Sequence, residues 1–101
     1  MGSQRGAGPL PNDAARALIT RLAADTATIG WSVHSVEKMQ QRDVSILQAL
    51  TVIRSGEIKG DPALDEFGEW RYKLEAVAAG RRVQVIVATD CVQALTVVTV
   101  I

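Results

Sequence analysis

Glu69-Trp70-Arg71-Tyr72-Lys73-Leu74-Glu75-Ala76-Val77 is the stretch that decides the fold. Trp70, Tyr72, Leu74 and Ala76 alternate with Arg71, Lys73 and Glu75, the period of two expected of a strand with one buried face. Two more β segments follow. Arg81 to Thr89 is rich in Val and Ile, and Ala94 to Ile101 is almost wholly β-branched or aliphatic. The links Ala78-Ala79-Gly80 and Asp90 to Gln93 suit hairpins and leave no room for a crossover helix, so this reading excludes a parallel arrangement. The last segment is apolar at both parities, which places it inside the sheet or against a partner chain. Ahead of residue 69, Glu57 to Lys59 reads as a brief edge strand, and Gly60-Asp61-Pro62 opens a loop running to about Gly68.

Upstream the apolar period is helical. Asn12 or Asp13 can cap a helix to about Thr26, with Ala15, Leu18, Ile19 and Leu22 on one face. Gly30 interrupts the pattern. Ser32 caps a second helix, about Val33 to Gln41, with Val36 and Met39 as its apolar side and Asp43 as its breaker. Ser45 and Gln48 form a capping box for a third helix whose buried side is Ile46, Leu47, Leu50 and Ile53 and which Ser55-Gly56 closes. Helices followed by an antiparallel meander define an α+β domain over residues 11–101, after a flexible segment 1–10 rich in Gly and Pro.

The chain has 101 residues, 48% of them hydrophobic, and a formal net charge of zero. That is enough for one aliphatic core. It argues against broad electrostatic binding of nucleic acid, while leaving room for a local basic cleft. Residues 61–69 hold Asp61, Asp65, Glu66 and Glu69 without a cation. Cys91 is the only cysteine, which excludes an intramolecular disulfide and a zinc cluster, and it reads as a passive thiol. No apolar run has the length of a membrane span and no secretory core opens the chain, so a cytoplasmic protein without membrane contact is expected.

The chemistry concentrates in the second helix. His34, the only histidine, Lys38 and Arg42 recur every four residues and fall within roughly 80° of arc. An imidazole beside cations suits phosphate chemistry. His34 can act as base or acid, and Lys38 and Arg42 can hold a phosphate. Tyr72 can complete the site from the first long strand, with Arg71 or Lys73 beside it. Arg81 and Arg82 fit RNA-backbone contacts. Each has a structural alternative: a local hydrogen bond for His34, a solvated helix face for Lys38 and Arg42, and core positions for Tyr72, Trp31 and Trp70.

The segment His34-Ser35-Val36-Glu37-Lys38-Met39-Gln40-Gln41-Arg42-Asp43-Val44, with Ser55-Gly56-Glu57-Ile58 and Leu95-Thr96-Val97-Val98-Thr99-Val100-Ile101 after it, resembles a family of small bacterial domains without an assigned function. That family reads His-Ala-x-x-Arg-Met-x-x-Arg-Gly-Ile, then a helix, Gly-x-Ile, and strands ending in a Val-x-Val-Thr-Val-like segment. The likeness spans about residues 31–101. Here Lys38 replaces Arg, Ser35 replaces Ala, and Asp43-Val44 replaces Gly-Ile. Lys keeps the charge but loses the bidentate fork.

Such domains resemble the RelE-like and MqsR-like toxins, with helices packed on a small antiparallel sheet. The resemblance implies an endoribonuclease toxin of a type II toxin–antitoxin pair that needs no metal or other cofactor. RNA, including mRNA, is its implied substrate, and a cognate antitoxin protein its implied partner. The implied catalytic set is His34, Lys38, Arg42 and Tyr72, and the RNA-binding set is Arg71, Lys73, Arg81 and Arg82. The alternative is a non-catalytic interaction domain of the same fold, in a two-protein regulatory module or a homodimer. Neutral net charge and the apolar final segment favour that alternative.

Overall fold

The computed structural model describes residues 9–89 and 95–101. In chain order these form α1 (Asn12–Ala23), one turn of 3-10 helix (Thr26–Thr28), β1 (Ile29–Trp31), α2 (Val33–Arg42), α3 (Ile46–Ser55), β2 (Glu57–Leu64), β3 (Trp70–Ala78), β4 (Arg81–Thr89) and β5 (Leu95–Val100). The strands make one sheet in the order β1-β5-β4-β3-β2. The class is α+β, with the helices stacked on the sheet. The connection at 90–93, Cys91 and residues 1–8 of the N-terminal segment lie outside the described residues.

Alternation places the core. Tyr72 faces Val87 and Leu74 faces Val85 across the β3–β4 ladder, and Val87 faces Val97 of β5. These residues are buried with Ala15, Ile19, Met39, Val52 and Ile53 from the helices. The other parity, with Arg71, Lys73, Glu75, Arg82 and Gln84, forms the sheet face that carries no helix. The β3–β4 turn has positive φ at both Ala79 (52°) and Gly80 (78°), which matches the twist of a tight hairpin.

The sheet is mixed, which corrects the expectation of a purely antiparallel one. β1 pairs with β5 in parallel, Ile29 opposite Leu95 and Trp31 opposite Val97. The exclusion of parallel pairing considered only consecutive strands, whereas two helices and three strands separate β1 from β5. At three residues, β1 is too short to show a period, and its central Gly30 reads as a break. β5 lies in the interior, between β1 and β4. β2 remains an edge strand but runs to Leu64, through an irregularity between Lys59 and Ala63. Gly60, at φ 70°, and Pro62 sit in that irregularity, and an edge strand tolerates the missing donor.

Two helix faces also differ from expectation. On α3 the inward stripe is Ala49, Leu50, Val52 and Ile53, while Ile46 and Leu47 are 55% and 76% exposed. On α2 Met39 is buried but Val36 is 41% exposed, and Ser35 is fully buried. The Ser35 hydroxyl donates to the Ser32 carbonyl at 2.7 Å, so it can fill a core position without an unmet polar atom. Helix α1 starts behind Pro11 with no side-chain cap, and Ser45 and Gln48 form the expected box on α3.

Gly56 ends α3 where the chain presses on β3. A Cβ there would lie 2.5 Å from the Val52 carbonyl oxygen and 3.0 Å from that of Glu75, both backbone atoms. Gly56→Ala is therefore expected to destabilise the domain by about 1–3 kcal/mol, read as a lower midpoint in urea at unchanged slope. An unchanged midpoint would show that the α3–β3 contact relaxes freely.

Asp65 organises the turn from β2 to β3. Its carboxylate accepts from the Phe67 and Glu69 N–H groups, both at 2.9 Å, and from Arg71 Nε at 3.3 Å. Burial works to raise its pKa, but the bonds from Glu69, Phe67 and Arg71 outweigh it and hold the carboxyl below its ordinary value. A depressed native pKa adds stability above the unfolded value, near 3.9, and that stability is lost as pH falls toward the native value. Asp65→Asn should cost stability at neutral pH and flatten the acid limb below about pH 4. Equal acid limbs for the two proteins would show that this carboxylate does not couple folding to protons.

Candidate nucleic-acid interface

Ser32 starts α2 by accepting the Ser35 N–H at 3.0 Å, and its hydroxyl donates to the Val98 carbonyl of β5 at 2.8 Å. The helix thereby lies along β5. At its other end Asp43 adopts φ 56° and ψ 48°, the left-handed region. Its N–H bonds the Gln40 carbonyl, and the Val44 N–H bonds that of Met39 at 2.8 Å. This is a Schellman stop, sealed by burial of both Met39 and Val44. Arg81 of β4 then donates to the Arg42 and Asp43 carbonyls, each at 2.9 Å.

The expected site residues fall into three groups. His34, Lys38 and Arg42 share one flank of α2, with His34 and Arg42 exposed and Lys38 half-buried. At the C-terminal end of that flank Arg42, Arg81 and Arg82 line one cleft of about 280 Å³ with Val44, Val83 and Ile101. Among the described residues, Arg42 and Arg82 form no ion pair. Arg71 and Lys73 belong to the helix-free sheet face, around a separate hollow shared with Lys59 and Asp61.

Tyr72 lies on β3 between Arg71 and Lys73 and borders their hollow, but it stands apart from the α2 flank and its cleft, which corrects its placement in the catalytic set. It is fully buried among the core side chains, and its hydroxyl oxygen accepts the Leu10 N–H at 3.1 Å. Its phase with Leu74 on β3 dictates this, since that parity faces the helices. The helix over β3 is α3, whereas α2 lies over β5. His34 and Tyr72 therefore do not open onto a shared cleft. Along α2, His34 and Arg42 are about 12 Å apart on the axis, so one phosphate cannot bridge both ends of the stripe.

The flank of α2 that faces α3 holds a groove of about 620 Å³. Trp31, Val36, Met39, Val44 and Ile46 supply its apolar walls, with Asp43 and Arg81 among its polar residues. The sequence reading put Val36 on the apolar side of the second helix and Ile46 on the buried side of the third, and so missed this groove. It also missed Arg81 as the group that fixes the end of α2. A cation positioned to meet a helix C-terminus from another element leaves no periodic signal.

Among the described residues no three His, Cys, Asp or Glu side chains come together as metal ligands. No helix there is long and apolar enough to cross a membrane. The fold and this surface define a small α+β domain with helices on one sheet face and a cationic end. Residues 31–101 match the sequence pattern of the family described as a domain of unknown function, DUF4258, and the chain belongs to that family. No curated protein and no solved structure matches it. The matched region holds every candidate site residue and leaves α1 outside.

Asp43 occupies a backbone position where a Cβ is unfavourable. Asp43→Gly should therefore raise stability by about 0.5–1 kcal/mol, seen as a higher melting temperature. A lower one would show that the Asp43 side chain, and not the backbone, holds the turn.

Proposed function

We propose that this domain acts on RNA as a metal-independent endoribonuclease of the RelE/MqsR-like toxin kind, at a site that excludes Tyr72. The observation that carries the reading is the meeting of Arg42, from α2, with Arg81 and Arg82, from β4, in one cleft. The Arg42 and Arg82 guanidinium groups in a shallow opening suit bidentate capture of a phosphodiester, and Arg81, held on the α2 carbonyls, adds positive charge beside them. His34 and Lys38 continue the same flank. In this reading the arginines anchor one phosphate and Lys38 steadies a neighbouring one. The exposed His34 imidazole then takes the 2′-hydroxyl proton. That oxygen attacks the adjacent phosphorus, the bond to the 5′-oxygen breaks, and the leaving oxygen takes a proton from water, while His34 later returns its proton to solvent. The products are a 2′,3′-cyclic phosphate and a free 5′-hydroxyl.

The second reading, a non-catalytic interaction domain, is favoured by the apolar groove between α2 and α3. Under that reading the domain binds a partner such as an antitoxin, or a second copy of itself, without chemistry.

The two readings part on one experiment with the purified chain, a labelled single-stranded RNA and EDTA. The nuclease reading expects cleavage with a cyclic-phosphate end. His34→Ala should lower the rate by about 100-fold or more while RNA affinity persists. Arg42→Ala with Arg82→Ala should weaken binding and lower its salt dependence by about two units of slope. Binding without cleavage would end the catalytic claim. Absence of both would leave the interaction domain as the function.

A further inference from the structure

We propose that the α2–α3 groove receives the β2–β3 turn of a second copy of this chain, so that the protein associates head to tail. Besides Val33, Leu47, Val77 and Ile101, large apolar groups are exposed at two further places. One set lines the groove, where Val36 and Ile46 are 41% and 55% exposed. The other is the turn, where Leu64 and Phe67 are 54% and 69% exposed. Single exposed apolar residues are ordinary, but here a projecting pair and a concave apolar groove occur on one molecule.

Charge complements shape. The turn carries Glu66 and Glu69 beside Phe67, and the sequence holds no cation between residues 61 and 69. The groove has one acid, Asp43, against Arg81, and Arg42 and Arg82 line the cleft that adjoins it through Arg81 and Val44. An acidic tip with an aromatic point therefore meets an apolar groove with a cationic end.

The tip is also preorganised. The Asp65 carboxylate binds the Phe67 and Glu69 N–H groups, Gly68 N–H bonds the Asp65 carbonyl, and Arg71 holds the carboxylate from β3. Phe67 is presented on a closed turn, which reduces the ordering cost of docking.

Topology prevents a chain from filling its own groove. β3 runs from Trp70, beside the turn, to Ala78, paired with Arg81 beside the groove. Tip and groove thus lie at opposite ends of the long ladder, in a molecule 42 Å in its longest extent. A contact between unlike surfaces of two copies is heterologous and propagates into a ring or an open chain. The groove shares Arg81 and Val44 with the arginine cleft, but the association is tested without RNA and stands or falls apart from the RNA reading.

Sedimentation of the purified full chain across low-micromolar to near-millimolar concentration tests it. The weight-average mass should at least double over the range, and added salt should reverse part of the rise. Phe67→Ser breaks the tip and Ile46→Asp breaks the groove; both residues are exposed, and circular dichroism checks that each variant folds. Each variant alone should remain monomeric. Mixed together they should form a one-to-one dimer that grows no further, because one supplies an intact groove and the other an intact tip. A wild-type chain that stays monomeric throughout overturns the proposal. So does self-association that survives both substitutions, or a mixture of folded variants that fails to pair.

Discussion

Three guanidinium groups, each bound to the C-terminal end of a helix from another element, hold the layers of this fold in register. Arg16 of α1 donates to the Ile53 and Gly56 carbonyls at the end of α3, at 2.5 and 2.6 Å. Arg54 of α3 donates to the Ala23 carbonyl at the end of α1, through Nε and Nη2. The two helices thus close each other. Arg81 of β4 does the same for α2. The last carbonyls of a helix lack intrahelical partners and carry the negative end of its dipole, so a cation is the fitting donor. Bonds to a charged group contribute roughly 1.5–3 kcal/mol each, more than a neutral turn would supply. Burial pushes the Arg16 pKa below its ordinary value, the cost of placing a cation between two helices, yet a guanidinium stays charged throughout.

That division of labour sorts the cations. Arg16, Arg54 and Arg81 serve helix ends, Arg71 is held by Asp65, and Lys59 lies 4.0 Å from Glu75. Among the described residues, the side chains of Lys38, Arg42, Lys73 and Arg82 have no hydrogen-bond or ion-pair partner. Three of these four belong to the α2 flank and the cleft at its end. A net charge of zero is therefore compatible with a local positive surface, because most acids sit elsewhere: on the β2–β3 turn, on β2 and β3, and near α1.

The elements that carry a strong local code were legible in the sequence. The alternation from Trp70 to Ala76 gave β3 its buried face, the capping box at Ser45 started α3, and Asp43 stopped α2. What the sequence hid depends on partners far along the chain. β1 is recognisable only through its pairing with β5, and the outward position of Ile46 only through the way α3 meets the sheet. The candidate site divides in the same manner. The stripe of His34, Lys38 and Arg42 follows from the helical step alone, whereas its distance from Tyr72 follows from which strand lies beneath which helix. Tyr72 had the alternation of a core residue and the chemistry of a site residue, and the alternation decided its place. Burial of its side chain removes area from water worth several times the net gain of one hydroxyl contact.

The two proposed surfaces occupy opposite flanks of α2 and meet at one point, where Arg81 and Val44 line both openings. The geometry of that point is set by backbone. The left-handed turn at Asp43 fixes where Val44 enters the core, and Arg81 fixes how far the last turn of α2 stands from β4. A shift of the helix end would move Arg42 relative to Arg82 on one flank and Met39 relative to Ile46 on the other. RNA held in the cleft and an acidic tip held in the groove would therefore compete for the same positive end, even though their apolar and proton-carrying groups are separate. On these proposals, assembly and RNA capture are coupled through the α2 C-terminus, with like charge on the two ligands as the physical source of the antagonism.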